Sequence, residues 1–397
     1  MPAMSQLFSP MKIGGLELRN RFVRSATFAG MATENGHVTD DILKLYRNLA
    51  KGRIGLIITG HFYVSPAGKA LFNQVGIHSD EMIPGLKRLV QEVHEQDGKI
   101  VFQLSHAGRQ TTKEVTGQRP IGPSGKGRDP IYFVKPREMN EDDIHETIQS
   151  FVNAAKWAVE AGADGIQLHG AHGYLINQFL SPFFNTRSDA WGGSEEGRFR
   201  FLEQVFTEIK SVIPKETPIL IKLNTNDHTP RQGVTPELAA RYAQRLVGMG
   251  IDAVEISSGS SFYSFMNVCR GQVPVQQLVD TMPFFKKPIA RLMMNRLVGK
   301  YDLEEGYHLQ AAKTIKPALG EIPLLLVGGM RRVAHMEEIL EKGYADFISI
   351  CRPFIREPFL VKRIEEGKTD RASCVSCNKC IGAIANRMPL RCYCQQD

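Results

Sequence analysis

Eight short apolar runs, most followed by a longer amphipathic stretch, constrain this chain more than any other feature. They are RFVRSAT near 21, IGLIITG near 54, KIVFQLS near 99, DGIQLHG near 164, PILIKLN near 218, DAVEISS near 252, PLLLVGG near 323 and DFISICR near 346. Each has the length and branched-residue content of a buried strand. The segments between them read as helices, among them DDILKLYRNLAKG, EDDIHETIQSFVNAAKWAVEAG, TPELAARYAQRLVGMG and LEEGYHLQAAKTIKPAL. Several open on Asp, Ser or Thr with acidic residues behind them and close on Gly, as capped helices do. Apolar strands joined through helices form a parallel sheet covered on its faces. Eight such units closed on themselves give an α/β chain with the (β/α)8 TIM-barrel fold. An open doubly wound sheet is the alternative, and no G-x-G-x-x-G follows an early strand to support it.

Two segments fall outside the repeating unit. KIGGLELRN, ahead of the first strand, reads as a small hairpin that plugs the bottom of the barrel. The stretch from Ser258 to about Asp302 is too long for a simple loop and should carry extra elements. The expected division is a barrel over 1–370 and a short cysteine-rich C-terminal segment over 371–397.

Of the 397 residues, 42% are hydrophobic and 23% charged, ordinary values for a globular enzyme. The net charge of +7 is carried by scattered residues, which suits an anionic small molecule rather than nucleic acid. No apolar run approaches the ~20 residues of a membrane span. MPAMSQLFSPMKIGG has no signal-peptide core, so a cytoplasmic location is expected.

In a TIM barrel the chemistry sits at the C-terminal ends of the strands. Those ends are polar here: Ser25-Ala26-Thr27, Gly60-His61, Gln103 to His106, His169, Lys222 with Asn224, Gly328-Gly329 and Cys351-Arg352. The adjacent glycines after the seventh strand and the arginine after the eighth suit a phosphate cradle. HGAHGY, His169 to Tyr174, follows the fourth strand. An HxxH pair could ligate a metal, or be two structural histidines. Alternatively, both could donate hydrogen bonds to one substrate oxygen, with Tyr174 protonating the neighbouring carbon.

HGAHGYLINQFLSPFFNTRSDAWGGSEEGRFRF resembles the signature of the Old Yellow Enzyme family of flavin-dependent ene-reductases. The resemblance runs in order from NRFVRSAT through QLSHAGRQ to VGGMR and ISICRPFIREP. It implies a barrel holding FMN, reduced by NAD(P)H and passing hydride to the β-carbon of an activated alkene. By the same resemblance His169 and His172 bind the activating oxygen of a small-molecule substrate and Tyr174 is the proton donor. Gln103 would bond the flavin pyrimidine edge and Lys222 stand beside flavin N1. Ser25, Ala26, Thr27 and Gly60 would form the flavin's bed, and Gly328, Gly329, Cys351 and Arg352 the phosphate end. Phe28 stands where several relatives carry a Thr or Cys that tunes the flavin potential. Lys222 stands where many carry Arg, keeping the charge without the planar fork.

CVSCNKCIGAIANRMPLRCYC is the remaining signal. Cys374, Cys377 and Cys380 are evenly spaced and Cys392 follows, an arrangement that suits an iron–sulfur cube or a zinc site. It is similar to the [4Fe-4S] segment of the larger members of the family, of the trimethylamine dehydrogenase and 2,4-dienoyl-CoA reductase type. Cys394 is surplus to a set of four. The expected function is therefore an FMN-dependent alkene reductase. The alternative is an iron–sulfur flavoprotein subunit that exchanges electrons with a partner protein; a homo-oligomer is also compatible with the sequence. A flavin-binding sensor would need neither the histidines nor the tyrosine, and a phosphate-binding aldolase or isomerase would be colourless.

Overall fold

The structure, a computed structural model, describes residues 5–129, 134–261 and 263–394. All eight apolar runs form strands: β3 (Phe22–Arg24), β4 (Leu56–Tyr63), β5 (Ile100–Ser105), β8 (Gly165–Gly170), β9 (Ile219–Asn224), β10 (Ala253–Ser257), β11 (Leu324–Val327) and β12 (Phe347–Ile350). Every neighbouring pair is parallel, and β12 pairs with β3, which closes the barrel. β1 (Met11–Ile13) and β2 (Leu16–Leu18) form the antiparallel hairpin ahead of it. A two-residue parallel pair, β6 (Ile121–Gly122) and β7 (Arg137–Glu138), lies in the connection after β5.

The strand period of two sorts the barrel interior into layers. Val23, Leu56, Ile58, Val101, Leu220, Ala253, Leu325 and Phe347 pack with Ile13 and Leu18 of the hairpin. The hairpin therefore plugs the N-terminal end of the barrel, where a fully exposed mouth would leave these side chains wet. One pleat further along the same strands stand Ser25, Gln103, Lys222, Glu255 and Ser349, all buried and polar. The alternate side chains, such as Phe22, Ile57, Phe102, Ile166 and Ile219, pack outward against the helices in the main core.

The helices begin where their sequences say they should. Thr39, Ser194 and Thr235 each accept the N–H of a first-turn residue of the helices Asp40–Lys51, Glu195–Val212 and Pro236–Met249. Asn140 and Asp143 make a reciprocal capping box at the start of Glu141–Glu160. The helix expected from Leu303 starts later, at Leu309. Gly306 adopts φ +76° and turns the chain, and its N–H bonds the Gly328 carbonyl at 2.7 Å.

The long stretch after β10 carries helices at Phe265–Val268, Val275–Asp280 and Lys287–Asn295. The cysteine segment crosses the same end of the barrel. Its helix, Lys379–Ala385, packs on Val275–Asp280. Among the described residues no helix is long and apolar enough to cross a membrane.

Candidate active site

A cavity of about 1120 Å³, counting its open mouth, is lined by residues from the C-terminal ends of the strands. Its wall includes Ser25, Ala26, Thr27, Gln103, His169, His172, Tyr174, Lys222, Gly329, Cys351 and Arg352. Sequence reasoning thus selected most of one wall. Gly60 and Gly328 do not line it.

Strand register explains how the polar groups meet. Gln103 lies beside Gln167, His169 beside Lys222, and Lys222 beside Glu255. Gln103 Nε2 donates to Gln167 Oε1 at 2.6 Å, and Gln167 Nε2 donates to Glu255 Oε2 at 2.9 Å. The same carboxylate oxygen lies 2.9 Å from Lys222 Nζ, which also donates to Ser25 Oγ at 2.7 Å. This chain fixes the head of Lys222 at the cavity wall. Glu255 neutralises part of its charge, so Lys222 is a held donor rather than a bare cation.

A second group in the wall is aromatic. The His169 ring lies 5.2 Å from His172, 4.8 Å from Tyr174 and 5.8 Å from His61. His172 takes φ +61° and Gly173 φ +76°, which lifts the chain over the barrel mouth. A β-carbon on Gly173 would come within 2.7 Å of Ser260 Oγ, so glycine is required there. Gln110 Nε2 anchors the turn by donating to the His172 carbonyl at 2.6 Å. His172 Nε2 meets Ser257 Oγ at 2.7 Å. Burial, reinforced by neighbouring positive groups, pushes both histidines well below the usual imidazole range. They are neutral near pH 7 and offer N–H groups rather than imidazolium ions.

His61 is the residue that sequence reasoning passed over in favour of Gly60. The register of β4 against β5 shifts between Ile58 and His61. Leu56 and Ile58 point inward, so simple alternation puts residue 60 inside; the irregularity substitutes His61. Gly60 instead donates its N–H to Tyr46 Oη, on the outer helix, at 2.8 Å. His61 packs 5.1 Å from Tyr174, and its Nδ1 is 2.8 Å from Gln74 Nε2. Burial lowers its pKa to about 4, so it too is neutral. No local sequence signal marks that shift.

At the far end Gly329 and Arg352 face the cavity, with Arg331 between them in the wall. Gly328 instead lends its carbonyl to the Gly306 and Tyr307 amides. Glu305 occupies the amides of Arg331 and Arg332, at 3.2 and 3.0 Å. An anion here would therefore meet Gly329 and the Arg352 guanidinium.

A flat ring system ending in a phosphate suits this cavity. The His169 Nδ1 and Ser349 Oγ atoms, both buried in its wall, have no protein partner among the described residues. Buried polar atoms left in this state point to a polar ligand. The residues present therefore fit FMN.

A second, smaller cavity adjoins the first through Arg352, which lines both. Cys374, Cys377, Cys380, Cys392 and Cys394 all line it. The structure thus gathers the four expected thiols and brings Cys394 to them, and all five are free. Among the described residues the side chains do not close into a formed metal-ligand group. The donor set nonetheless fits a thiophilic metal, being five soft sulfurs around one space beside three buried or half-buried arginines. Arg331 donates to the Cys374 carbonyl at 2.8 Å and to Ser376 Oγ at 2.6 Å. Arg352 Nη1 donates to Asn378 Oδ1 at 2.5 Å.

The sequence profile of the NADH:flavin oxidoreductase / NADH oxidase family matches residues 6–262 and 276–371. The chain is 34% identical to an NADH oxidase of Thermoanaerobacter brockii over 99% of its own length and 56% of that protein's. It is 35% identical to an NADPH dehydrogenase of a Geobacillus species, covering 89% of this chain and 92% of that one. A solved complex of 2-naphthoyl-CoA reductase with 2-naphthoyl-CoA superposes with a TM-score of 0.85 at 26% identity, covering 98% of this chain and 56% of the other. The chain thus spans about half the length of some relatives and nearly all of others. On this profile and this barrel, the chain belongs to the NADH:flavin oxidoreductase / NADH oxidase family, the Old Yellow Enzyme family, and its barrel is that of an NAD(P)H-dependent flavin oxidoreductase.

Proposed function

We propose that this barrel reduces the activated C=C bond of α,β-unsaturated carbonyl-type substrates, using FMN and NAD(P)H. The observation that carries the reading is the group of His169, His172 and Tyr174 lining the same cavity as Gln103 and Lys222. Bound FMN supplies hydride exchange between NAD(P)H and the substrate carbon. Gln103 and Lys222 would hold its pyrimidine edge, Ser25 to Thr27 its bed, and Gly329 with Arg352 its phosphate.

His169 and His172 present neutral N–H groups to the substrate's activating oxygen. Charge grows on that oxygen as hydride arrives, so donors fixed in advance favour the transition state over the ground state. Tyr174 holds the proton that the adjacent carbon takes. His169 and Tyr174 are buried and His172 is half-buried, which limits the water that would otherwise compete for both jobs. A thioester serves as the activating group as well as a ketone does, in keeping with the acyl-CoA bound by the solved relative.

The cysteine pocket supports a second feature of the same reading. Four of its thiols would hold a [4Fe-4S] cluster beside the flavin cavity, where Arg352 lines both spaces and Arg331 reaches Cys374.

Tyr174→Phe tests the alkene-reductase reading. It removes one hydroxyl and little volume, so FMN content and flavin reduction by NAD(P)H should stay as in the wild type. Re-oxidation by a weakly activated enone should slow ~10²–10⁴-fold, the usual loss of a general acid. Stopped-flow measurement of the two half-reactions separates these effects. An unchanged re-oxidation rate would assign the proton to another donor.

A further inference from the structure

The stretch between β10 and β11 carries an apolar face that the barrel does not cover. Phe284 is 88% exposed, Phe285 73% and Ile289 66%, and Leu292, Met293 and Val298 are also exposed. Val375 and Met388, in the cysteine segment, are exposed as well. The two regions are joined: Asn386 Nδ2 donates to the Gln277 carbonyl at 2.8 Å, and Gly382 packs against Gln277. Arg291 in turn donates to Gln276 at 2.8 Å, which ties the helix Lys287–Asn295 to Val275–Asp280. Exposed apolar area on this scale, rimmed by polar groups, marks an interaction surface.

Charge decides what fits it. Residues 281–301 hold five basic side chains and no carboxylate, and residues 371–394 hold four and none. Those nine cations exceed the whole chain's net charge of +7, so the remainder of the protein is slightly acidic. Lys287 reaches Asp280 at 3.7 Å, whereas Arg387 and Arg391 lie over the rings of Phe72 and Tyr393. The basic residues are therefore concentrated in two segments whose helices both pack on Val275–Asp280, and in 281–301 they are interleaved with the exposed apolar side chains. A second copy using the same patch would set cations against cations. An acidic surface with an apolar centre is complementary. Val375, one of these exposed apolar residues, lines the pocket of five cysteines, where Cys392 is also exposed.

We propose that this face docks an acidic electron-carrier protein beside the cysteine pocket. The proposal rests on the reading that the pocket holds a cluster in contact with the flavin site. A one-electron carrier leaves oxidised after each encounter, so two encounters, with proton uptake from water, match one two-electron reduction of flavin.

The test uses protein whose iron and FMN contents have been measured, with an acidic ferredoxin and an acidic flavodoxin as probes. Calorimetry should show binding of at least one probe, weakening about tenfold or more between about 20 and 300 mM NaCl, as screened charge pairs do. Arg291→Glu/Arg296→Glu/Lys300→Glu should weaken it by about tenfold or more, and Phe284→Ser/Phe285→Ser should weaken it in a salt-insensitive way. Both variants alter exposed side chains, and their FMN content and reduction by NAD(P)H should match the wild type. Binding of neither probe, or equal binding by the variants, overturns the proposal. So does a concentration-dependent dimer that Phe284→Ser/Phe285→Ser makes monomeric, which gives the face to a second copy. Iron-free protein as isolated under anaerobic conditions would count against the cluster reading itself, a result distinct from failed docking by iron-loaded protein.

Discussion

Glu255→Gln is a direct test of the electrostatics built into the barrel. The substitution keeps the side chain's size and leaves an oxygen to accept from Gln167. Only the charge facing Lys222 is lost. Both partners of that pair are almost fully buried, and their polar atoms stand 2.9 Å apart. Removing one partner of such a pair leaves a buried charge without compensation and costs about 3–5 kcal/mol. At about 2.1 cal/mol/K per residue over 397 residues, the unfolding entropy is about 0.8 kcal/mol/K. The melting temperature should therefore fall by about 4–6 °C. Lys222→Met/Glu255→Gln removes the stranded cation and should recover part of the loss. The same single variant should raise the midpoint potential of the bound flavin, because a cation no longer neutralised favours the reduced, more negative form. Differential scanning calorimetry of the three proteins, with flavin content matched, gives the comparison. A melting temperature within about 1 °C of wild type would refute the reasoning, since it would mean that the Glu255 carboxylate adds nothing to stability through its contact with Lys222.

Acid should destabilise the protein through its buried histidines. Burial lowers His106 to about 3 and His308 to about 4. Below the ordinary value the unfolded chain binds protons that the folded one refuses, so this stability is present above about pH 6.5 and lost as pH falls towards those values. His106→Asn keeps an acceptor for the Gly108 N–H, which lies 3.0 Å from His106 Nδ1, but does not titrate. Urea unfolding should show the gap in stability between pH 7.5 and pH 5.0 shrinking by about 2 kcal/mol in the variant; an unchanged gap would count against a buried neutral His106. Anaerobically purified wild type should contain about four irons per chain, and Cys377→Ala should abolish them. Stoichiometric zinc without iron would reject the cluster.

The barrel itself was legible in the sequence because its signals are local. Each apolar run, capped helix and glycine turn states its own conformation, and eight repeats of the unit leave few ways to close. The polar strand ends were legible for the same reason: the fold places its chemistry there, and HGAHGY, Lys222, Gln103 and Arg352 occupy those ends. What the sequence could not state was which groups meet across strands. Lys222 and Glu255 lie thirty-three positions apart and become neighbours only through the register of β9 and β10. His61 replaces Gly60 at the cavity because one shift in the β4–β5 ladder turns the strand, and such a shift is set by packing on both sides. Gly328 turns away because Gly306 and Tyr307 claim its carbonyl from another segment. Cys394 joins the four expected thiols because residues 392–394 fold back to line one pocket with Arg356 and the other cysteines. Local propensity is written along the chain, but register, pairing and burial are properties of the closed barrel, in which the energy of one residue depends on partners far away in sequence.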